Sequence, residues 1–375
     1  MPIRLRVALA LLVLLPGAAV AEDNGVAFGI TRDKLILPVT LNEVGPYPFI
    51  LDLGVGRPAM AQEVAAFLKA PANPDHPGQE VTVHAFRIAD QPAKEQTCVV
   101  MDLNPFTRLL GTPVAGIFNG RDMAGEFTLD FGRNIYFARP TEKGRMLKDE
   151  SDPRAIPFQV TEEGLPIVNA LLEGKHAEKF IIDTTFGGVM AVPEVTLKQL
   201  GLLTAETRRL VADQAAEGIP KATGEIQIRL KSIRVGAAEV LDPVCAMALP
   251  KEPPRLGLGF LKHFRVTFNF DKKLLRLDPV SAPPLRDAPI VGYGLGVGDF
   301  RDGYWTVWVA KASPAALAGI VSGDVLLEVG GKDAKDLSCA ALSELLTATE
   351  GATLNVTFAH GEEKHAVTLT GERLL

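Results

Sequence analysis

The chain has 375 residues, 47% of them hydrophobic, and a net charge of −6. That excludes a disordered polymer, and the length exceeds one typical core, so two or three packed domains are expected. Thirty-nine basic residues against 45 acidic ones, with no sustained Lys/Arg stripe beyond the N-terminus, exclude an electrostatic nucleic-acid footprint.

The chain opens with Arg4 and Arg6, the apolar run Val7 to Leu15, then Pro16-Gly17 and the small-residue pattern Ala19-Val20-Ala21 before Glu22. This order predicts a signal peptide over residues 1–21 and a periplasmic or secreted mature chain; a retained anchor helix is the other reading. No later stretch approaches ~18 continuous apolar residues, so no membrane span is expected in the mature chain. No cysteine follows the small-residue site. Cys98, Cys245 and Cys339 are too few and too scattered for a disulfide framework or a CxxC metal site. Cys98 and Cys245 sit in apolar, strand-like surroundings that predict buried thiols. No metal or organic cofactor is implied.

After the leader, residues 35–42 read as a strand, 43–47 as a turn carrying Gly45-Pro46, and Pro48 to Leu51 as a strand ending at Asp52. Gln62 to Leu68 has helical spacing. The same order recurs later: a strand over 165–172, a turn at Glu173-Gly174-Lys175, and the apolar run Lys179 to Ile182 ending at Asp183. A short helix over Pro193 to Leu202, opened by proline, follows. Each apolar run thus delivers one carboxylate into a glycine-containing turn, Asp52-Leu53-Gly54 and Asp183-Thr184-Thr185-Phe186-Gly187-Gly188. A second echo follows, because Gly125 to Phe137 parallels His263 to Leu275 as strand, polar turn, strand. Just before each lies a glycine-punctuated apolar stretch, residues 114–120 and 256–261.

On these motifs the region 26–280 resembles the retropepsin-like aspartic protease family in its tandem, single-chain form. The resemblance implies a mainly β fold with two β-barrel lobes about a pseudo-two-fold axis, lobe 1 over 22–150 and lobe 2 over 151–280. It also implies a catalytic pair, Asp52 and Asp183, supported by Gly54 and Thr184. Gly116 or Gly120 and Leu256-Gly257 fall on the family's apolar-apolar-glycine loop. Two carboxylates that close cannot both ionise, and sharing one proton suits them to act as acid and base on a peptide bond. The sequence departs from the family where Leu53 has no hydroxyl to reach across the lobes and where Thr185 replaces a glycine. Asp also favours turns without catalysing anything. A flap is expected from residues 78–91, with a counterpart near 222–230. His84, a lone strand histidine, is expected on the surface or in the core and not in a site.

Prolines 279, 283, 284 and 289 mark a boundary, with a linker at 281–289. Beyond it come a strand over 304–310, Ser313-Pro314-Ala315-Ala316-Leu317-Ala318-Gly319, Ser322-Gly323-Asp324-Val325, a helix over 340–348 and closing strands over 353–358 and 364–369. This resembles a bacterial-type PDZ domain, placed at 290–375. The resemblance implies capture of a peptide end by strand addition, with Gly294, Leu295, Gly296 and Val297 in the binding loop. Gly257-Leu258-Gly259-Phe260 carries a similar string, yet the later elements do not follow it at family spacing.

The combined expectation is an aspartic-type endopeptidase-like protein of the bacterial cell envelope, binding peptides or unfolded protein through a two-lobe cleft and a PDZ domain. The alternative is a catalytically degenerate peptide-binding or scaffold protein. Partners are then a peptide or protein substrate and a C-terminal peptide ligand.

Overall fold

A computed structural model describes residues 25–71, 78–88, 91–123, 125–139, 152, 154–211, 226–249, 251–301 and 303–375. The expected leader at 1–21 lies outside them, as do residues 222–225 of the flap counterpart expected near 222–230. Among the described residues the fold is mainly β, and no helix is long and apolar enough to cross a membrane.

The two halves repeat one arrangement. Strand Lys34–Leu41 turns back antiparallel onto Val44–Leu51, which runs parallel to the short strand Gly116–Phe118. In the second half Pro166–Leu172 turns back onto His176–Ile182, which runs parallel to Arg255–Leu256. Ile36 is buried beside Leu35 and Leu37, and Ile50 beside Phe49 and Leu51, so the first-half strands are held by core apolar runs, whereas Pro166–Leu172 and His176–Ile182 bury alternate residues, Phe180 and Ile182 among them. Each carboxylate emerges where its strand leaves the sheet: the amides of Asp52 and Asp183 donate to Phe118 O and Leu256 O, both at 2.9 Å.

The hairpins Glu126–Asp130/Ile135–Arg139 and Phe264–Asn269/Leu274–Pro279 join edge to edge in one sheet between the halves. Their centre is the pair Thr128 and Thr267, whose buried hydroxyls lie 2.8 Å apart. Asn134 and Lys273 occupy equivalent turn positions and share φ of 55°. Beneath the sheet Phe127, Tyr136, Phe268 and Phe270 pack ring on ring, and one hydrophobic cluster spans both halves. A shared core of this kind fixes the halves as one unit.

The helix expected over 193–202 is shorter. Pro193 ends strand Met190–Pro193, and the helix is Glu194–Gln199. The proline-rich stretch expected as a linker is pinned in part to the second half: Leu285–Arg286 pairs with Val240–Leu241, and the buried Asp287 accepts from Val244 N at 3.2 Å.

The C-terminal domain is a sheet of Leu295–Arg301, Tyr304–Val309, Val325–Val329, Thr353–His360 and Glu363–Thr370, in that order, with helices Pro314–Leu317 and Cys339–Leu345. Its motif residues have local reasons. Ser313 Oγ accepts from Ala316 N to cap the first helix, Gly319 and Gly323 take φ of 85° and 99°, and the buried Asp324 accepts from Val321 N at 3.0 Å. Cys98, Cys245 and Cys339 are buried free thiols.

Candidate functional site

Asp52 and Asp183 are brought to one place by the loops that follow their strands. The Thr184 hydroxyl accepts from Leu53 N at 3.1 Å and lies 3.5 Å from Leu51 O, to which it donates, so it ties the second loop to the first. Leu53 cannot return the bond. In its stead the buried Asn119 donates from Nδ2 to Leu53 O at 2.8 Å and to Val55 O at 3.1 Å, holding the first loop from within its own half.

The two carboxylates have unlike surroundings. Asp52 Oδ1 accepts from Gly54 N at 2.7 Å, while burial, reinforced by the nearby charge of Asp183, pushes its carboxyl above the usual carboxylate range. The Gly54 and Val55 amides and the Lys34 ammonium oppose that shift without cancelling it. Asp183 Oδ1 accepts from Thr185 N at 2.8 Å, from the Thr185 hydroxyl at 2.7 Å and from Phe186 N at 3.2 Å. Its Oδ2 lies 3.4 Å from Arg255 Nη1. Thr185 is not among the residues at positive φ, so the departure from glycine brings no backbone strain and adds a donor to the carboxylate.

Two cations at this site escaped the sequence reading. Lys34 Nζ donates to Thr185 O at 2.5 Å and faces Asp183, Asp33 and Asp52; burial pulls its ammonium below the usual lysine range while those carboxylates pull it back. Arg255 bridges Asp183 and Glu252, 2.8 Å away, and its guanidinium lies over the Phe186 ring. Arg255 pairs with Ile181 where Ile117 pairs with Ile50 in the first half, so the repeat marks the position but not the cation. Lys34 is one residue before the strand as read from sequence, where a turn was not yet visible.

The string Gly257-Leu258-Gly259 packs against the loop after Asp183. A Cβ on Gly257 would lie 2.2 Å from Phe186 O, so only glycine allows that approach. Gly116 lies in its strand beneath the ring of its partner Phe49, and Gly120 follows Asn119. In the stretch expected to hold a flap, strand Glu80–Ile88 pairs antiparallel with Lys94–Met101; residues 89–90 lie outside the described set. His84 is on its surface, 2.9 Å from Glu95.

In the C-terminal domain Gly294 takes φ of 72°, and its carbonyl accepts from Ala310 N at 2.8 Å and the Ser313 hydroxyl at 3.5 Å. A Cβ at Gly294 would collide with Ser313. Leu295, Gly296 and Val297 already belong to the strand: Leu295 and Val297 point into the core and Gly296 lies under the Trp308 ring. The outer edge of that strand has no strand partner among the described residues, and helix Cys339–Leu345 runs beside it. An open edge flanked by a helix is the geometry of strand addition. Lobe 1 approaches the same helix. Leu109 packs on this domain's core, and a cleft of about 300 Å³ separates Thr107 and Arg108 from Phe300, Trp305, Lys335 and Ser338.

No curated protein matches the chain in sequence. Among solved structures it is similar to a retropepsin-like aspartic protease from Rickettsia conorii, at 25% identity over 33% of this chain and 89% of that one, with a TM-score of 0.27. It is also similar to basic 7S globulin from soybean, at 10% identity over 69% of this chain and 95% of that one, with a TM-score of 0.39. Residues 305–359 match the family described as PDZ domain, so the chain carries a PDZ domain at its C-terminal end.

Proposed function

We propose that this chain is an aspartic-type endopeptidase of the bacterial cell envelope, which cleaves peptides or unfolded protein in the two-lobe site and holds a peptide end on its PDZ domain. The observation that carries the reading is the Thr184 hydroxyl clasped between Leu53 N and Leu51 O, which presents Asp52 and Asp183 from equivalent loops. The PDZ fold supports peptide capture along the edge strand from Gly294. The N-terminal sequence from Arg4 to Ala21 supports an envelope or secreted location.

In this reading Asp52, whose burial favours the protonated acid, donates its proton to the carbonyl oxygen of the scissile bond. Asp183 takes a proton from the attacking water, whose oxygen bonds to the carbonyl carbon. Collapse of the resulting gem-diol breaks the C–N bond as Asp183 passes its proton to the leaving nitrogen, and a gem-diol hydroxyl returns one to Asp52. A second reading, a noncatalytic peptide binder, is favoured by one observation: Arg255 lies at 3.4 Å from the oxygen of Asp183 that faces away from its backbone donors. Incubating residues 22–375 with an unstructured peptide library from acid to neutral pH separates the two. Cuts that vanish in both Asp52→Asn and Asp183→Asn support the protease; no cuts at any pH from folded wild type or from folded Lys34→Ala support the binder.

A further inference from the structure

The first hairpin of lobe 1 reaches both sites described above. Strands Gly29–Thr31 and Lys34–Leu41 close through a two-residue turn in which Arg32 and Asp33 have φ of 42° and 59°. Positive φ at both central residues is the tight hairpin turn whose twist matches its strands, so the turn continues them without a loop between. From this turn Lys34 donates to Thr185 O and faces both carboxylates. The Asp33 carboxyl fills the space over Gly187: a Cβ there would lie 2.1 Å from Asp33 Cγ. On its other side Arg32 contacts Cys339 Sγ, at the first residue of the helix that flanks the PDZ edge strand.

These contacts have consequences for an extended ligand. A peptide crossing the two carboxylates bonds through its backbone to acceptors beside them, and Thr185 O is already taken by a lysine. A peptide entering the PDZ groove must fit between strand Leu295–Arg301 and helix Cys339–Leu345, the helix whose first turn Arg32 touches. We propose that the turn Thr31–Lys34 is a latch: Lys34 bars the carboxylate site to extended peptide, and occupancy of the PDZ groove releases it through Arg32 and Cys339. The inference rests on the reading of the two-lobe site and the PDZ groove as peptide sites. By linkage, loosening either end of the latch loosens the other.

Cys339 supplies a readout independent of hydrolysis, because it is buried beneath the turn while Cys98 and Cys245 are buried in lobe strands. The test is native-state iodoacetamide labelling, resolved by mass spectrometry for each cysteine, in wild type, Lys34→Ala and Lys34→Arg. Lys34→Ala is expected to raise labelling of Cys339 alone by at least about fivefold, the lower end of typical site-to-site coupling, and Lys34→Arg to stay near wild type. Equal labelling of Cys339 in wild type and Lys34→Ala overturns the latch, and so does an equal rise at all three cysteines. In the reverse direction Arg32→Ala should speed amide deuterium exchange across Thr185–Val189; unchanged exchange there overturns the coupling. Cleavage of the peptide library is read in parallel. Selective Cys339 labelling with no cleavage by any variant supports the latch and sinks the hydrolytic reading, so the two fail separately.

Discussion

Asp52 sits in surroundings that favour its neutral form. Its folded carboxyl titrates above the ordinary value of 3.8, chiefly through burial and then through the charge of Asp183. The folded chain therefore binds the proton more tightly than the unfolded chain does. That contribution to stability is complete below the ordinary value and is lost as pH rises through the raised one. Asparagine has no such dependence. Relative to wild type, Asp52→Asn should gain stability between acid and neutral pH, read as a urea midpoint that rises against wild type from pH 3 to pH 7. A difference that stays constant over that range would mean that Asp52 is not desolvated. Asp52 and Asp183 were legible in the sequence because a carboxylate closing an apolar run shows locally. Lys34 and Arg255 were not, since Lys34 reaches Thr185 across 151 positions and Arg255 reaches Asp183 across 72.

The hairpins that join the halves owe their register to particular pairs. Thr128 and Thr267 share one buried hydrogen bond at the centre, and Asn269 Nδ2 donates to Glu126 Oε2 at 2.9 Å beside it. Thr267→Val leaves the Thr128 hydroxyl buried without that partner and should cost about 1–3 kcal/mol. The double change Thr128→Val with Thr267→Val should cost less than the sum of the singles, because no hydroxyl is then left over; equilibrium urea unfolding of the four proteins measures this. Strict additivity would mean that the two hydroxyls do not act as a pair. Each hairpin was readable as strand, polar turn, strand. Their pairing with each other was not, because a strand's edge partner depends on which surfaces meet, and nothing within Glu126–Asp130 or Phe264–Asn269 encodes that. The segment at 281–289 illustrates the same point: prolines announce a break in regular structure, and the contact of buried Asp287 with Val244, more than 40 residues away, is not visible from them.

At the scale of the molecule, Leu109 belongs at once to a small lobe 1 cluster and to the PDZ core. Both tryptophans of the chain, Trp305 and Trp308, lie in the PDZ domain, so the midpoint of their fluorescence change follows the unfolding of that domain. Leu109→Ala should lower the tryptophan-detected stability by about 1–3 kcal/mol, the scale of burying one leucine. A fall seen only in far-UV circular dichroism, with the tryptophan midpoint unmoved, would show that the PDZ domain does not depend on lobe 1. The PDZ domain was the most legible part because its signature residues each satisfy a local geometric demand, as Ser313, Gly319 and Asp324 do. Its placement against lobe 1 depends on Leu109, Gly111 and Ser338, which carry no shared motif.

The covalent linkage of the two carboxylate loops permits them to differ. In an assembly of two identical chains, any substitution appears on both sides of the axis, so leucine after the aspartate would remove the hydroxyl clasp twice. Here the two loops differ: one carboxylate is followed by Leu53, with Asn119 as support, and the other by Thr184. Arg255 and Lys34 likewise enter once and not as mirror pairs. Joining the halves in one gene frees mutation to differentiate the two carboxylates, a freedom that symmetry denies to a homodimer.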